Sequence, residues 1–197
     1  DIHLKVAELI FTKLKEEVSK EERYKSKTIN FGLLYGMQEK KLSEELNISK
    51  KEAKKLMTTY LGKLPNIAKF IVDTQNFLLK YGYTEDLLGR RRYIPKVFSD
   101  KQFEVLAALR EGVNFPVQGT NAEMTKKAMI RVDRYMLGQN MKSKLIIQVH
   151  DELVFDVHPE ELEALPKIVK AHMEGVIDLD VPVIADPSMG PNWMEAK

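Results

Sequence analysis

Three ionisable residues, His150, Asp151 and Glu152, separate two runs of strand-forming residues, 145–149 and 153–157. Because β-branched and apolar residues favour strands, the two runs predict a β-hairpin with these three side chains at its tip. A two-residue hairpin turn usually carries Asn-Gly or Asp-Gly, since its central residues need positive φ. The departure from that pattern leaves two interpretations open: a polar, solvated turn, or a tip that performs acid–base or metal chemistry.

The two carboxylates at the tip could hold a hard divalent cation such as Mg²⁺. This ion prefers oxygen ligands and commonly takes only one or two protein carboxylates plus substrate phosphates. Adjacent side chains point in different directions, so we expect only one of Asp151 and Glu152 to bind the ion directly. A further ligand must come from elsewhere in the protein. Imidazole is a poor ligand for Mg²⁺, so His150 is assigned to supporting a ligand or contacting nucleic acid.

Arg23, Lys27, Phe31 and Tyr35 follow one another at intervals of four residues, which places them along one side of a helix. Two cations followed by two aromatic rings could hold a phosphate chain near the first turns and a flat base or sugar near the last, with Gly32 allowing close approach. The alternative is a buried aromatic edge beside solvated basic residues.

A second row with four-residue spacing consists of Arg110, Asn114 and Gln118. Their side chains could follow the minor groove of a nucleic acid duplex, where acceptors are present at every base pair and sequence is hardly read. The run 90–92, three consecutive arginines, suits a phosphate backbone. An exposed polar helix face and a solvated loop are the alternatives for these two features.

Composition limits the class of protein without identifying it. The 197 residues are 44% hydrophobic and 30% charged, with a net charge of +2, which fits one or two compact units and says little about partners. The absence of cysteine excludes disulfides, thiolate zinc sites and cysteine nucleophiles, and fits a cytoplasmic protein. No run is long enough to span a membrane. Because the chain begins with Asp1 and enters a helical pattern at once, we expect it to start within a larger protein.

Periodicity and capping residues predict the elements that position these side chains. Helices are expected over residues 2–14, 20–35, 38–46, 50–60, 65–81, 102–117 and 121–137, and in a segment from Pro159 that Pro166 interrupts. Strands are expected in a small hairpin within 82–95, in the hairpin 144–157 and in a final strand, 181–186. The fold class is α+β and helix-rich, with a helical subdomain over 1–80 and a part with a short antiparallel sheet over 81–197.

Five motifs together resemble the C-terminal part of the family A DNA polymerases, the bacterial DNA polymerase I type, and they occur in the family's order. They are Arg23 to Gly36, which is similar to the nucleotide-binding helix of the fingers, Gly89 to Arg92, Asn114 to Thr120, Gln148 to Glu152, which is similar to the palm hairpin, and Gly190 to Trp193. The resemblance covers essentially the whole chain and implies fingers over 1–80 and a C-terminal part of the palm over 81–197.

The resemblance implies a role for each residue near the nucleotide. Arg23 and Lys27 would bind the triphosphate of the incoming dNTP, and Lys27 would also protonate departing pyrophosphate. His3 would touch the same phosphates. Phe31 would pack on the sugar and base and disfavour dideoxynucleotides, and Tyr35 would guard the space beside the templating base.

At the hairpin, the resemblance implies that Asp151 binds catalytic Mg²⁺ and that Glu152 assists nearby. The primer–template DNA would be held by residues of three segments: Arg110, Asn114, Gln118, His150, Arg90 and Arg91. The implied reaction is attack of a primer 3′-hydroxyl on the α-phosphate of a dNTP, assisted by two metal ions, in DNA replication and repair.

The chain also departs from the family pattern. The family's other metal-binding aspartate, its thumb and any exonuclease domain have no counterpart here, so the chain alone is expected to be inactive without the N-terminal palm and thumb. Asn121, Ala122 and Glu123 stand where the family commonly has two small residues and an aspartate. Two alternatives remain: a related single-subunit RNA polymerase, and a non-catalytic DNA-binding subunit.

Overall fold

A computed structural model describes residues 1–196 and confirms the α+β class, with helices dominant and two separate two-stranded antiparallel sheets in this part of the chain. The helices are α1 (Ile2–Phe11), α2 (Lys20–Leu34), α3 (Glu39–Glu45), α4 (Lys50–Lys63), α5 (Pro65–Tyr81), α6 (Gln102–Gly138) and α7 (Leu165–Glu174). The strands are β1 (Tyr83–Glu85), β2 (Arg91–Tyr93), β3 (Lys144–Val149) and β4 (Glu152–Asp156). Short 3₁₀ helices lie at Lys15–Glu17, Pro95–Phe98 and Pro159–Glu161.

The chain forms two compact units, Asp1–Val117 and a second one that begins at Gln118, so the boundary falls within α6. This division reflects packing. The assignment of 1–80 to fingers and 81–197 to palm concerns function and stays a prediction.

The main core of the first unit lies among α1 to α4. Its buried side chains recur at the helical spacings that the sequence predicts, and they are Val6, Ile10, Ile29, Leu33, Leu42, Leu46, Ala53 and Tyr60. Capping boxes begin α2 and α4, where helices were expected from residues 20 and 50: the hydroxyls of Ser19 and Ser49 each accept from the amide three residues later. The caps therefore set where each helix begins, and the core sets which side of it faces inward.

A smaller core in the first unit supports the β1–β2 hairpin. Leu78 near the end of α5 packs with Ile94, Val97 and Ala108. Gly82 follows α5 at a φ of 74°, which is left-handed and easy for glycine, and directs the chain into β1. The predicted helix end and the predicted hairpin are therefore both confirmed.

In the second unit, Val132 and Met136 of α6 pack against Leu165 at the start of α7, with Phe155 of β4 beside them. The Glu161 carboxylate accepts from the backbone amides of Lys142 and Ser143, at 2.7 and 2.9 Å, which fixes the entry to β3. These hydrogen bonds lower the pKa of Glu161, the Ser143 hydroxyl contributing most.

The predicted break between two helices near residues 117–120 is wrong. α6 continues through Pro116, and the segment taken for a cap lies inside the helix. Thr120 is buried, and the Thr125 hydroxyl donates to the Asn121 carbonyl, at 3.1 Å, as Thr commonly does four residues along a helix. Residues typical of a helix start are thus used here for packing and for hydrogen bonds along the helix.

The predicted final strand, 181–186, is also wrong, since these residues form no strand in the described chain. Backbone groups of Ala185 are satisfied by α7 side chains instead: its amide donates to Glu174, at 3.1 Å, and its carbonyl accepts from Lys170. Pro182 also lacks the donor that a central strand needs. An apolar β-branched run becomes a strand only beside a partner strand.

Candidate functional site

Helix α2 is fixed by contacts on its inner side. Ile29 and Leu33 are buried in the main core, and the Asn30 side-chain oxygen accepts from the Tyr60 hydroxyl at 2.6 Å within it. At the start of the helix, the Lys13 ammonium donates to the Glu22 carboxylate at 2.7 Å. With one side and one end held, the opposite side of α2 faces solvent in a defined orientation.

The four residues predicted from their spacing, Arg23, Lys27, Phe31 and Tyr35, are all exposed along that outer side. We call them the α2 stripe. The Phe31 and Tyr35 rings are 43% exposed and nearly parallel, with centroids 6.4 Å apart. His3 of α1 joins them, its ring 5.1 Å from that of Phe31. The structure thus brings His3, predicted from the resemblance, next to the stripe.

Asp1 is a site residue that sequence reasoning missed. One oxygen of its carboxylate accepts from the His3 and Leu4 amides and caps α1, and the other accepts from the Arg23 guanidinium at 2.8 and 2.5 Å. An aspartate directly before a helical pattern is a helix-start signal, which could have predicted the cap. The contact with Arg23 joins residues 22 positions apart and carries no local signal.

The pKa of His3 lies below its usual 6.5, first because the ring is partly buried and then because the positive charges of Arg23 and Lys27 are near. Its Nδ1 is buried and has no hydrogen-bond partner within the described residues. The charges of Arg23 and Lys27 beside this ring favour an anion at this end of α2, where the Asp1 carboxylate already pairs with Arg23.

Gly32, within α2, and Gly36, just after its end, differ in their surroundings. Gly36 has a φ of 70°, and a Cβ there would lie 2.5 Å from Cγ of Arg110, so glycine permits both the turn and this side chain. Gly32 is buried, and its Cβ would lie 2.9 Å from the Met37 sulfur. Gly32 therefore packs against the protein, and the interpretation that it admits a ligand is wrong.

Arg110, Asn114 and Gln118 lie on α6 at the predicted four-residue spacing, which follows one side of a continuous helix. Arg110 and Asn114 are half-buried, and Gln118 is exposed. The side-chain oxygen of Asn114 is buried without a hydrogen-bond partner among residues 1–196, which leaves an acceptor for another molecule or a water.

The arginine run 90–92 spans the end of the β1–β2 turn and β2. The side chain of Arg91 pairs across the hairpin with Glu85 at 2.5 Å, which raises the Arg91 pKa. Arg92 pairs with Glu111 at 2.7 Å, and the Arg90 amide donates to the Asp86 carboxylate at 3.0 Å. The guanidinium groups of Arg91 and Arg92 therefore already face a carboxylate, which weakens the simple interpretation of a free phosphate-binding run.

The hairpin forms as predicted, with Val149 opposite Glu152, so that His150 and Asp151 make a two-residue turn. His150 has a φ of 54°, a left-handed conformation that histidine adopts more readily than most residues. The Gln148 side chain, which sequence reasoning left without a role of its own, donates to the His150 carbonyl at 2.5 Å. The tip side chains of His150, Asp151 and Glu152 are all exposed.

The tip fits part of a magnesium site. Asp151 and Glu152 offer exposed carboxylate oxygens, the donors that Mg²⁺ prefers. Within residues 1–196, however, no group of three or more His, Cys, Asp or Glu side chains is arranged to hold a metal. The tip therefore suits an ion that also takes ligands from a substrate or from other residues.

None of the described helices is both long enough and apolar enough to cross a membrane.

Comparison with known sequences matches nearly the whole chain to one family: the model of "DNA polymerase family A" matches residues 1–195. The chain is 38% identical over 198 residues to DNA polymerase I of Bacillus subtilis (strain 168) and 35% identical over 196 residues to DNA polymerase I of Pseudomonas aeruginosa PAO1. Each alignment covers 100% of this chain and 22% of the relative, so the chain spans about a fifth of their length.

Among solved structures, the chain resembles the "POL domain of Pol1 from M. smegmatis complex with DNA primer-template and dNTP". The TM-score is 0.86 at 37% sequence identity, and the match covers 92% of this chain and 32% of that one. The fold likeness thus extends over nearly all of the chain.

Proposed function

Because the chain belongs to DNA polymerase family A, we propose that it carries the nucleotide-binding helix and one metal-binding hairpin of a DNA-directed DNA polymerase. The observation that carries this proposal is the α2 stripe, in which two cations precede two stacked rings and the His3 ring lies beside them. The matched family and its relatives favour the DNA enzyme over a related RNA polymerase. We place the protein in the cytoplasm, where bacterial DNA lies.

Arg23, Lys27 and His3 bind the triphosphate of the incoming dNTP. Burial is the first cause of the lowered pKa of His3, and the charges of Arg23 and Lys27 follow; these two nearby cations support the assignment, because they attract phosphate. Since Arg23 already pairs with Asp1, a bound phosphate would replace the Asp1 carboxylate at this guanidinium. The Arg23 side chain is thereby held in place before the nucleotide arrives, which reduces the conformational entropy lost on binding.

The aromatic end of the stripe takes the flat part of the nucleotide. Phe31 packs on the sugar and base, and Tyr35 borders the space beside the templating base. Their nearly parallel rings and 43% exposure leave apolar area for such a contact. Lys27, the cation next to the aromatic end, protonates the departing pyrophosphate, a role that suits an exposed ammonium group on the phosphate side.

At the hairpin, Asp151 binds Mg²⁺ through its carboxylate, and Glu152 assists from the neighbouring position. When bound, a pair of magnesium ions would supply activation of the primer 3′-hydroxyl and stabilisation of the leaving oxygen. His150 contacts DNA near the tip, and its carbonyl is held by the Gln148 side chain. The exposure of the tip supports its contact with ligands from other molecules.

The primer–template DNA is held along α6 and near the β1–β2 hairpin. Arg110, Asn114 and Gln118 contact the duplex near the primer end, and Arg90 and Arg91 contact the phosphate backbone. The support is the single helical side that carries the first three residues and the Asn114 oxygen, which has no hydrogen-bond partner within residues 1–196. Such contacts bind DNA without reading its sequence.

Nucleotide addition requires residues beyond these 197, namely a second metal-binding carboxylate, the N-terminal palm and a thumb. The deciding experiment is primer extension with Mg²⁺ and dNTPs, by this chain alone and by the full-length protein that contains it. We expect extension only from the longer protein. Robust extension by this chain alone would contradict the requirement for residues beyond these 197. Binding of DNA by the longer protein without any extension would favour a non-catalytic subunit.

A further inference from the structure

Four aromatic rings form a continuous cluster where α5 meets the β1–β2 hairpin: Phe77, Tyr81 and Tyr93 are exposed, and Tyr83 is half-buried. The centroids of Phe77 and Tyr81 are 4.6 Å apart, those of Phe77 and Tyr83 are 5.4 Å apart, and those of Tyr83 and Tyr93 are 5.4 Å apart. We call these four residues the ring surface. Its rings meet at tilted or edge-on angles, so they do not cover one another's faces as parallel stacks would.

The fold requires this arrangement. Tyr83 and Tyr93 are directly opposite each other in the antiparallel register, and Thr84, the next residue of β1, is buried. Since side chains alternate along a strand, the burial of Thr84 places both tyrosines on the outer face of the hairpin. Phe77 and Tyr81 are four residues apart at the end of α5 and continue the same surface.

The ring surface combines apolar area with positive charge. Tyr93 is 67% exposed and Tyr81 48% exposed, so both rings present apolar area to solvent. The Arg91 guanidinium, which pairs with Glu85, lies 4.7 Å from the Tyr83 centroid, so a phosphate there would replace this carboxylate. The Lys80 ammonium lies 4.9 Å from the Tyr81 centroid. Cations interleaved with exposed rings are typical of surfaces that bind single-stranded nucleic acid.

We infer that the ring surface binds an unpaired DNA strand, with bases stacked on Tyr93 and Tyr81 and phosphates near Arg91 and Lys80. Unpaired DNA fits both the exposed rings and the nearby cations. Paired bases are stacked on their neighbours and offer no face to a ring, whereas every unpaired base offers one. This inference rests on the proposed function only for the DNA contact of Arg91. The ring surface shares no residue with the α2 stripe or the hairpin tip.

Fluorescence anisotropy of a labelled oligo-dT strand of about 20 nucleotides, at about 50 mM salt, tests this with the 197-residue chain. We expect Tyr93→Leu, which keeps apolar bulk but removes the ring, to weaken binding of the strand about tenfold. Tyr93→Phe keeps the ring and should bind within about twofold of the parent chain. Binding of a blunt duplex should change by less than about twofold in both variants.

Phe103 is the matched control, since it is 68% exposed in the same unit and lies outside the ring surface. Phe103→Leu should leave strand affinity within about twofold of the parent chain. The inference is overturned if the parent chain fails to bind the strand, if Tyr93→Leu and Phe103→Leu behave alike, or if duplex affinity falls as far as strand affinity. Unfolding midpoints of every variant separate lost binding from lost folding. This binding assay measures no nucleotide incorporation. Failure of the proposed polymerase activity is detected by primer extension and is therefore distinguishable from failure of this inference.

Discussion

The α2 stripe and the hairpin tip are built in opposite ways. The stripe lies on a helix whose inner side is buried, and three of its members have partners: Arg23 pairs with Asp1, and Phe31 contacts the rings of Tyr35 and His3. The carboxylates of Asp151 and Glu152 lie exposed at the end of a two-stranded hairpin, and no third metal-binding side chain is grouped with them in residues 1–196.

Under the proposed function, the two regions work by different routes. The stripe is arranged by the fold of the first unit, so its proposed nucleotide binding can be examined in this chain. The proposed metal site at the tip needs further ligands, so its chemistry can be examined only in a protein that provides them. Variants in one region should therefore leave the other region's property unchanged.

The largest effect is expected at the tip. In the full-length protein, Asp151→Asn keeps the shape of the side chain but removes its charge, and it should lower the rate of nucleotide addition about a thousandfold. Rapid-quench primer extension measures this rate. Asp156→Asn is the matched control, because Asp156 is also an exposed carboxylate of β4. Retention of most of the rate in Asp151→Asn would show that this carboxylate does not bind a required metal.

A second prediction separates charge on the stripe from charge elsewhere on α2. Lys27→Ala should lower the rate of nucleotide addition about a hundredfold, because an ammonium group near the phosphates and a proton donor are both lost. Lys25→Ala is the control on the same helix, since Lys25 pairs with Glu21 at 2.6 Å. Equal losses in the two variants would mean that general positive charge, and not the stripe, is what matters.

The third prediction asks whether the fold arranges the end of α2. Gly36→Ala should destabilise the chain by about 2 kcal/mol, because alanine is strained at positive φ and its Cβ would displace Arg110. Gly62→Ala is the control: it lies in α4 with nothing within 4 Å of its Cβ, and it should be neutral or stabilising by up to about 1 kcal/mol. Urea unfolding measures both. Equal stabilities would show that Gly36 and Arg110 do not constrain each other.

Local signals explain what the sequence could predict. The Ser19 and Ser49 capping boxes, Pro65 at a helix start and Gly82 at its end act within a few residues, and each marks a helix boundary in the structure. The α2 stripe could likewise be found from its four-residue spacing. Its pairing with Asp1 could not, because that contact depends on how α1 packs against α2.

The errors have the same origin. Pro116 and Thr120 carry signals of a helix boundary, yet α6 runs through both because tertiary packing outweighs local preference. The run 181–186 has strand-forming residues, but its backbone groups bond to α7 side chains. Whether a β-branched run pairs with another strand is decided by long-range contacts that no local pattern contains.

The smallest effect is a pH dependence of nucleotide binding that comes from His3. In the free chain its pKa lies below 6.5 because of burial and the charges of Arg23 and Lys27, and a bound triphosphate should raise it by adding negative charge. The protonated ring therefore favours the complex. Affinity should be highest below the free-state pKa, fall as pH rises through the interval between the free and bound values, and level off above it.

NMR titration of the His3 ring, with and without dNTP, measures the two pKa values, and calorimetry at several pH values measures affinity. We expect a change of only a few-fold, since the shift of a partly buried ring is modest. The terminal phosphate of the nucleotide titrates in the same range, so His3→Gln is the necessary reference: the pH dependence that remains in this variant belongs to the nucleotide. If His3→Gln and the parent chain had identical profiles, His3 would not face the phosphates, and the stripe would bind them through Arg23 and Lys27 without it.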